Sequence, residues 1–121
     1  DEHPDTLTSL NNLALGYSEM GNYAKALELQ EKVYELRCRI LGEEHPKTLV
    51  VLSNMAITHG ELGNFQKALE LKEKVYKLQC KVLGEEHPDT LSSLSNLATT
   101  YGDLEDFEKE LELEKKIYLI T

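Results

Sequence analysis

The sequence has 121 residues, a formal net charge of −9 at pH 7 and hydrophobic residues at 40% of its positions. That length accommodates one domain of ordinary size, and its apolar stretches are far shorter than the roughly 20 residues needed to cross a bilayer. The negative charge disfavours binding to nucleic acid and to anionic membrane surfaces, so neither is an expected partner.

The chain is built from a segment that repeats every 42 residues. The stretch LGEEHPKTL at Leu41–Leu49 returns as LGEEHPDTL at Leu83–Leu91, and the chain opens on DEHPDTL. A fixed period of this size is typical of stacked arrays, in which neighbouring units complete each other's cores. We therefore predict a single domain, residues 1–121, made of repeat one at 1–42, repeat two at 43–84 and a divergent repeat three at 85–121.

Each repeat predicts a pair of helices. In repeat one, apolar residues recur every three or four positions from Leu7 to Tyr17, which is the spacing of one helix face. Gly21 can adopt the left-handed conformation that ends such a helix. A second helix is predicted from near Tyr23 to Leu41, and its apolar residues cover more than one stripe, so we expect it to pack on two sides. Three such pairs give about six helices and an all-α fold.

The segment GEEHP between repeats combines two glutamates with a histidine, and it allows two interpretations. One is a metal or acid/base site written three times, around His3, His45 and His87. The other is a helix boundary, in which the glycine ends one helix and the proline suits the first turn of the next because it has no N–H to donate. We favour the boundary, since successive corners of an array lie apart and their ligands cannot converge on one ion. No metal and no cofactor are expected.

The two cysteines, Cys38 and Cys80, occupy the same position in repeats one and two. Equivalent positions in stacked helix pairs lie on the order of 10 Å apart, beyond the reach of a disulfide. We predict free thiols, which suit a reducing setting, and hence a cytoplasmic location. The sequence shows no charged and then apolar leader, although the chain begins inside a copy of the repeat and is expected to be a fragment.

The repeated residues resemble a known family. The pattern Leu-x-x-Leu-Ala-x-x-Tyr at 10–17, followed by Gly-Asn-Tyr-x-x-Ala-Leu at 21–27, looks like a tetratricopeptide repeat. The 42-residue period and the segment HPDTLTSLNNLA at 3–14 resemble the kinesin-light-chain type, which is longer than the usual 34-residue unit. The resemblance covers the whole chain. It implies a right-handed superhelical solenoid of antiparallel helix pairs, with the first helices lining a concave groove.

The resemblance also implies a function, because these proteins serve as non-catalytic scaffolds that hold peptide segments of partner proteins. In kinesin-light-chain relatives, asparagines of the Asn-Asn-Leu-Ala stretch face the groove and contact the peptide backbone. By position they are Asn11 and Asn12 in repeat one, Asn54 in repeat two and Asn96 in repeat three, with the second asparagine of the pair favoured. An amide both donates and accepts hydrogen bonds, which suits such contacts. The alternative is that these asparagines bond between neighbouring helices and only maintain the array.

The remaining groove candidates lie on the same face of the first helices. The full set is Asn11, Asn12, Leu15, Glu19, Asn54, Ile57, Glu61, Asn96, Thr99 and Asp103. Lys47 is the one cation on these predicted helices, and it lies at a helix start, so recognition of an acidic motif or a C-terminal carboxylate is not expected. Because the candidates include acidic residues, we expect a neutral or basic peptide as partner.

Repeat three departs from the pattern. Glu105 replaces the glycine that ends the first helix, and Glu110 replaces a small alanine. An unpaired buried carboxylate is costly, so we expect a local rearrangement or a shifted helix at Glu110. The sequence stops at IYLIT, which leaves apolar side chains of the last helix uncovered. The alternative function is a structural or self-associating repeat array, which acts as a spacer or stacks end to end through its terminal helices without a dedicated peptide ligand. The similarity of the repeats also fits a consensus-like design.

Sequence motifs of catalysis are missing. The chain contains no glycine-rich phosphate loop, no Gly-x-Ser-x-Gly, no Cys-x-x-Cys and no His-Glu-x-x-His. His59 takes the place of the tyrosines at 17 and 101, and we interpret it as a packing residue. We therefore expect a binding module and not an enzyme.

Overall fold

The structure, a computed structural model, describes residues 4–120, with side chains from Thr6 onward, so the predicted role of His3 lies outside the described residues. Within residues 4–120 the chain forms six helices and no strand, which confirms the all-α prediction. Their bounds are α1 (Pro4–Glu19), α2 (Tyr23–Leu41), α3 (Pro46–Glu61), α4 (Phe65–Leu83), α5 (Pro88–Asp103) and α6 (Phe107–Ile120). Every helix begins at an equivalent position of the 42-residue register.

The helices form two compact units, and the boundary between them in the sequence falls between Asn64 and Phe65. In the first unit, α2 packs against both α1 and α3. In the second unit, α5 packs against both α4 and α6. The division falls inside repeat two, between its two helices, and the single domain over residues 1–121 stays a prediction.

The core of the first unit lies where α2 meets its two neighbours. Ala26, Val33 and Leu36 are the buried apolar residues of α2. Leu7 and Ala14 are buried on α1, with 5% and 1% of their surface exposed. The small alanines allow α1 and α2 to approach closely, which confirms the predicted face of the first helix at these positions.

Leu13 differs from the other predicted core residues of α1, because it is 51% exposed. Its equivalent in repeat three, Leu97, is only 3% exposed and belongs to a cluster with Leu69 of α4. Among the described residues, no helix packs on α1 in the way that α4 packs on α5. The exposure of Leu13 therefore follows from position in the array, which the local pattern does not reveal.

The core of the second unit draws on all three of its helices. Its buried residues are Leu69, Leu94, Leu97, Ala98 and Leu113. Partly buried side chains surround them, namely Tyr76, Tyr101, Leu104 and Ile117. Tyr76 and Tyr101 thus lie at the edge of the core.

Histidine begins both α3 and α5 as the N-cap. The Nδ1 atom of His45 accepts a hydrogen bond from the backbone N–H of Lys47, and that of His87 accepts from Asp89, each at 3.1 Å. The proline after each histidine occupies the start of the helix. The boundary interpretation of the GEEHP corner is confirmed at these two positions, where the histidine has a structural role that the sequence pattern did not specify.

A glycine in the left-handed conformation ends the first helix in repeats one and two. Gly21 has a φ of 81° and Gly63 a φ of 82°. The N–H of Asn22 then donates to the carbonyl of Tyr17 at 2.9 Å, a bond typical of a Schellman helix end.

Glu105 adopts the same backbone conformation without being a glycine. Its φ is 65°, and the N–H of Asp106 donates to the carbonyl of Tyr101 at 2.9 Å, as in repeat one. The left-handed conformation costs a residue with a Cβ about 1–2 kcal/mol. Repeat three therefore keeps the turn of the other repeats and bears strain at this residue.

Glu110 is accommodated without a shift of α6, which begins at Phe107 in register with the other second helices. The residue is half-buried, whereas its equivalents Ala26 and Ala68 are almost completely buried. Its carboxylate lies over Gly102, since a Cβ built on that glycine would be 2.5 Å from Glu110 Oε2. Of the two expected outcomes, the structure shows the local one, in which a glycine on α5 makes room for the larger side chain.

The remaining sequence predictions concern the cysteines and the membrane. Cys38 and Cys80 are half-buried free thiols, as predicted. None of the helices between residues 4 and 120 combines the length and the hydrophobicity that a membrane span requires.

Removal of the histidine cap of α3 is expected to destabilise the protein. His45→Ala leaves the Lys47 N–H without its acceptor, so we expect the free energy of unfolding to fall by about 1 kcal/mol. His45→Asn is the matched control, because asparagine is a preferred cap and should retain most of the stability. Urea unfolding followed by circular dichroism measures both variants. Equal stability of the two would contradict the capping role.

Relief of the strain at Glu105 is expected to stabilise the protein. Glu105→Gly removes the Cβ from a left-handed residue, and after the entropy cost of glycine we expect a gain of about 0.5–1 kcal/mol. Gly63→Ala is the converse control and should lower the free energy of unfolding by about 1 kcal/mol. Thermal and urea unfolding test both changes. A loss of stability in Glu105→Gly would show that this turn holds no such strain.

Candidate functional site

An open cavity of about 260 Å³ in the first unit brings several predicted groove residues together. Its lining consists of Asn11, Leu15 and Ser18 from α1, Gln30 from α2, and Asn54, Ile57 and Thr58 from α3. Helical spacing explains this set, because Asn11, Leu15 and Ser18 are three or four residues apart on α1, and Ile57 and Thr58 lie three and four residues after Asn54 on α3. Both helices pack against α2. The residues of α1 and α3 that line the cavity therefore lie on either side of Gln30, the α2 residue of the lining.

The sides of the cavity are apolar and open. Leu15 is 59% exposed and Ile57 is 56% exposed, although both are large aliphatic residues. Asn11 and Asn54 are half-buried beside them. The cavity therefore offers exposed apolar surface next to amide groups that both donate and accept hydrogen bonds.

Gln30 and Thr58 are the two buried polar residues of this cavity. Gln30 is 6% exposed, and its Oε1 has no hydrogen-bond partner among the described residues. Thr58, next to it in the lining, donates its hydroxyl to the carbonyl of Asn54 at 3.0 Å. A buried amide oxygen without a donor is costly, so Gln30 is an unusual residue for a core position.

Other predicted groove residues of the first unit lie outside the cavity lining. Asn12 is exposed on α1, where its neighbour Asn11 enters the cavity instead. Glu19 and Glu61 are exposed at the ends of α1 and α3. The first asparagine of the Asn-Asn pair is thus the one that reaches the cavity in repeat one, whereas the second position does so in repeat two through Asn54.

The predicted groove residues of the second unit, Asn96, Thr99 and Asp103, are all exposed on α5. They form one helix face, since they are spaced by three and four residues. Their exposure leaves them accessible to a partner.

Lys72 lies where repeat one has Gln30, and it contacts the candidate face of α5. Its Nζ donates to the hydroxyl of Thr100 at 2.7 Å, and that hydroxyl donates to the carbonyl of Asn96 at 2.9 Å. Burial lowers the pKa of Lys72, and the negative charge of Asp103 partly offsets this effect. The second unit therefore carries a cation beside its candidate face.

Sequence reasoning missed Gln30 and Lys72 because it searched for groove residues on the first helices alone. Both lie on second helices, among charged residues whose pattern is typical of a solvent-exposed face. The signal that could have found them is the register, since position 30 is glutamine in repeat one and lysine in repeat two, within otherwise similar segments.

His59 is 8% exposed, and its Nδ1 lies 3.5 Å from the side-chain nitrogen of Asn64. This agrees with the packing role expected of it. In the part of the chain that the structure describes, no three histidine, cysteine or acidic side chains are grouped so that they could hold a metal ion.

Two family models of the tetratricopeptide repeat match this chain, one at residues 5–81 and the other at residues 90–120. The chain belongs to the tetratricopeptide repeat family. Repeats of this family are typically non-catalytic scaffolds for protein interaction, which is the role that the match supports. A search of curated proteins finds no match to this chain.

Solved structures of similar repeats cover 98% of this chain. Crystal structures of nearly identical TPR-like repeats from a kinesin light chain candidate of Podosopora anserina, in the original form and as a point variant, are 34% identical and have a TM-score of 0.86. BtubC (BKLC) from P. vanneervenii is 24% identical with a TM-score of 0.85, and this likeness concerns the fold alone. The tetratricopeptide solenoid of the kinesin-light-chain-like type is thereby confirmed as the fold class.

The chain spans about half the length of these structures, 56% of the Podosopora anserina repeats and 47% of BtubC. The similarity therefore covers nearly all of this chain but only about half of each longer protein.

Proposed function

We propose that this chain is a protein-interaction module that binds an extended peptide or partner segment, with α1 and α3 forming the binding face of the first unit. The observation that carries the proposal is the cavity of the first unit, in which Asn11 and Asn54 lie with two exposed aliphatic residues. Exposed aliphatic side chains that are grouped in this way often mark a binding site. The family supports the same class of function.

The chemistry of the cavity suits a peptide backbone. A backbone offers one N–H donor and one carbonyl acceptor per residue, and the side-chain amides of Asn11 and Asn54 match both. Leu15 and Ile57 would contact aliphatic parts of the ligand. The backbone hydrogen bonds depend little on ligand sequence, and the aliphatic contacts add buried apolar area.

Charge favours a neutral or basic ligand. Glu19, Glu61 and Asp103 are exposed at the ends of the first helices, and the chain carries a net charge of −9. The positive charge of Lys72 changes this expectation little, because the negative charge of Asp103 lies close enough to affect the pKa of Lys72. We therefore propose a protein partner without an acidic recognition motif, and neither nucleic acid nor membrane.

Loss of the cavity amides is expected to weaken peptide binding. With a peptide selected from a library on the intact chain, Asn11→Ala and Asn54→Ala should each reduce affinity about tenfold, because each removes hydrogen bonds to the ligand backbone. Isothermal titration measures the affinity, and thermal unfolding should be nearly unchanged. Asn12→Ala is the matched control on the same helix.

The outcomes separate three readings of the asparagines. Weakening by Asn12→Ala alone would place the ligand on the face favoured by the family resemblance and not in the cavity. A collapse of thermal stability in Asn54→Ala would instead indicate that this residue maintains the array.

A second candidate function, end-to-end self-association, is favoured by exposed apolar residues on α6. Leu111, Tyr118 and Leu119 are 53%, 80% and 81% exposed. A groove of about 590 Å³ runs over this helix, lined in part by Leu111 and Leu119. On α1 the exposed Leu13 occupies the position that Leu97 buries against its own unit. The α6 of one copy would thus pack on the α1 of another, as α4 packs on α5.

Self-association of this kind is expected to depend on concentration and on the α6 face. Light scattering over a concentration series should show a mass that rises above one chain, and Leu119→Lys should return it to a monomer by placing a charge in the contact. Glu114→Ala, at an exposed position of the same helix outside the groove lining, is the control and should leave the mass unchanged. A monomer at every concentration would refute this second function and leave the first intact.

A further inference from the structure

The cavity of the first unit contains an acceptor that the protein itself does not satisfy. Gln30 is 6% exposed, and its Oε1 has no partner among the described residues although it lines the cavity. Buried polar atoms in folded proteins are nearly always paired. Gln30 Oε1 is itself buried, so a donor that enters the cavity pairs with it once the side chain turns toward the opening.

The second unit shows which donor fits at this register position. Lys72 replaces Gln30 there, and its ammonium group donates to Thr100 Oγ1 at 2.7 Å. Asp103 supplies a nearby negative charge, which counteracts the effect of burial on this lysine. The ammonium group thus donates to a threonine hydroxyl in a place partly removed from water, and the charge of Asp103 is near enough to affect its pKa.

The first unit has the same acceptors without the cation. Thr58 corresponds to Thr100 and donates in the same way, to the carbonyl of Asn54 at 3.0 Å. Its hydroxyl can still accept one hydrogen bond, as Thr100 does from Lys72. Glu61 corresponds to Asp103 and is exposed at the end of α3.

We infer that the cavity of the first unit binds the side chain of a lysine from the partner segment. The inference rests on the proposed function, which it makes more specific. The ligand's ammonium group donates to Gln30 Oε1 and Thr58 Oγ1, with Glu61 providing a favourable charge. Its unbranched aliphatic stem lies against Leu15 and Ile57, the exposed apolar sides of the cavity.

Lysine fits better than the other donors. An arginine presents a planar fork that favours paired oxygens of a carboxylate, whereas the acceptors here are separate single oxygens on two helices. A glutamine or asparagine side chain could donate to Gln30 but would gain nothing from Glu61. In the second unit the corresponding place is already used by Lys72, so the intact chain offers this site in its first unit.

The test uses the intact chain and three capped peptides, Ala-Ser-Ala-X-Ala-Ser-Ala, in which X is lysine, norleucine or glutamine. Nuclear magnetic resonance titration follows the side-chain amides of Asn11, Gln30 and Asn54. The lysine peptide should shift all three and bind about tenfold more tightly than the norleucine peptide, as expected for a charge-assisted hydrogen bond. Equal affinity of the lysine peptide and either of the others would overturn the inference.

Two variants of Gln30 test the acceptor directly. Gln30→Leu removes it and should abolish the preference for lysine over norleucine, with circular dichroism as the check on folding. Gln30→Glu provides a charged acceptor and should increase that preference, which keeps the test informative if the leucine variant folds poorly. An unchanged lysine preference in both variants would overturn the inference.

Lys72→Gln gives the second unit the residue of the first. The lysine peptide should then produce a second set of shifts at Thr100 and Asn96, and these shifts are not expected in the wild-type chain. Failure of the inference and failure of the proposed function remain distinct. Equal shifts of Asn54 by all three peptides would refute lysine recognition and support a general peptide groove, whereas no shift at millimolar peptide would refute both.

Discussion

The middle helix of each unit is covered on two sides, and the rest of the structure depends on that double contact. In the first unit α2 buries Ala26, Val33 and Leu36 between α1 and α3. A helix of this length has little stability alone, so its apolar faces need both neighbours. The same contact holds α1 and α3 on either side of Gln30. The candidate site is thus formed by the same helix contacts that build the core.

Much of this could be read from the sequence, because repetition reports the register directly. The 42-residue period located all six helices, and the apolar spacing identified Leu7 and Ala14 as core. Local patterns were less informative where a neighbour decides the outcome. Leu13 has the spacing of a core residue but is exposed, since no described helix covers it. Burial is a property of the assembled array, and a single helix does not encode it.

The candidate site was predictable in part for the same reason. Helical spacing placed Leu15 and Ile57 on one exposed face, and both line the cavity. Asn11 and Asn12 point about 100° apart around α1, and which of them faces the cavity depends on how α1 packs against α2, which the sequence does not resolve. Gln30 required knowledge of what α2 meets on each side. The histidine caps were missed because histidine is an uncommon N-cap, and only the geometry of His45 and His87 reveals the bond.

Position 30 of the repeat shows how such an array changes chemistry without changing fold. Gln30, Lys72 and Glu114 occupy the same place in the register, and they carry a neutral, a positive and a negative group. The helix contacts rely on alanine and leucine at other positions, so this site is free to vary. A modest number of substitutions could therefore alter what each repeat binds.

The left-handed Glu105 has a further consequence for how the second unit opens. It lies just before α6, and within the described part of that helix Leu113 alone is buried, whereas α4 buries Ala68, Leu69, Leu71 and Val75. A strained turn followed by a lightly anchored helix lowers the free energy of local unfolding. The amides of α6 should exchange with solvent before those of α4 and α5. Its detachment would uncover Leu94 and Leu97, so the unit has a built-in order of opening that starts at its last helix.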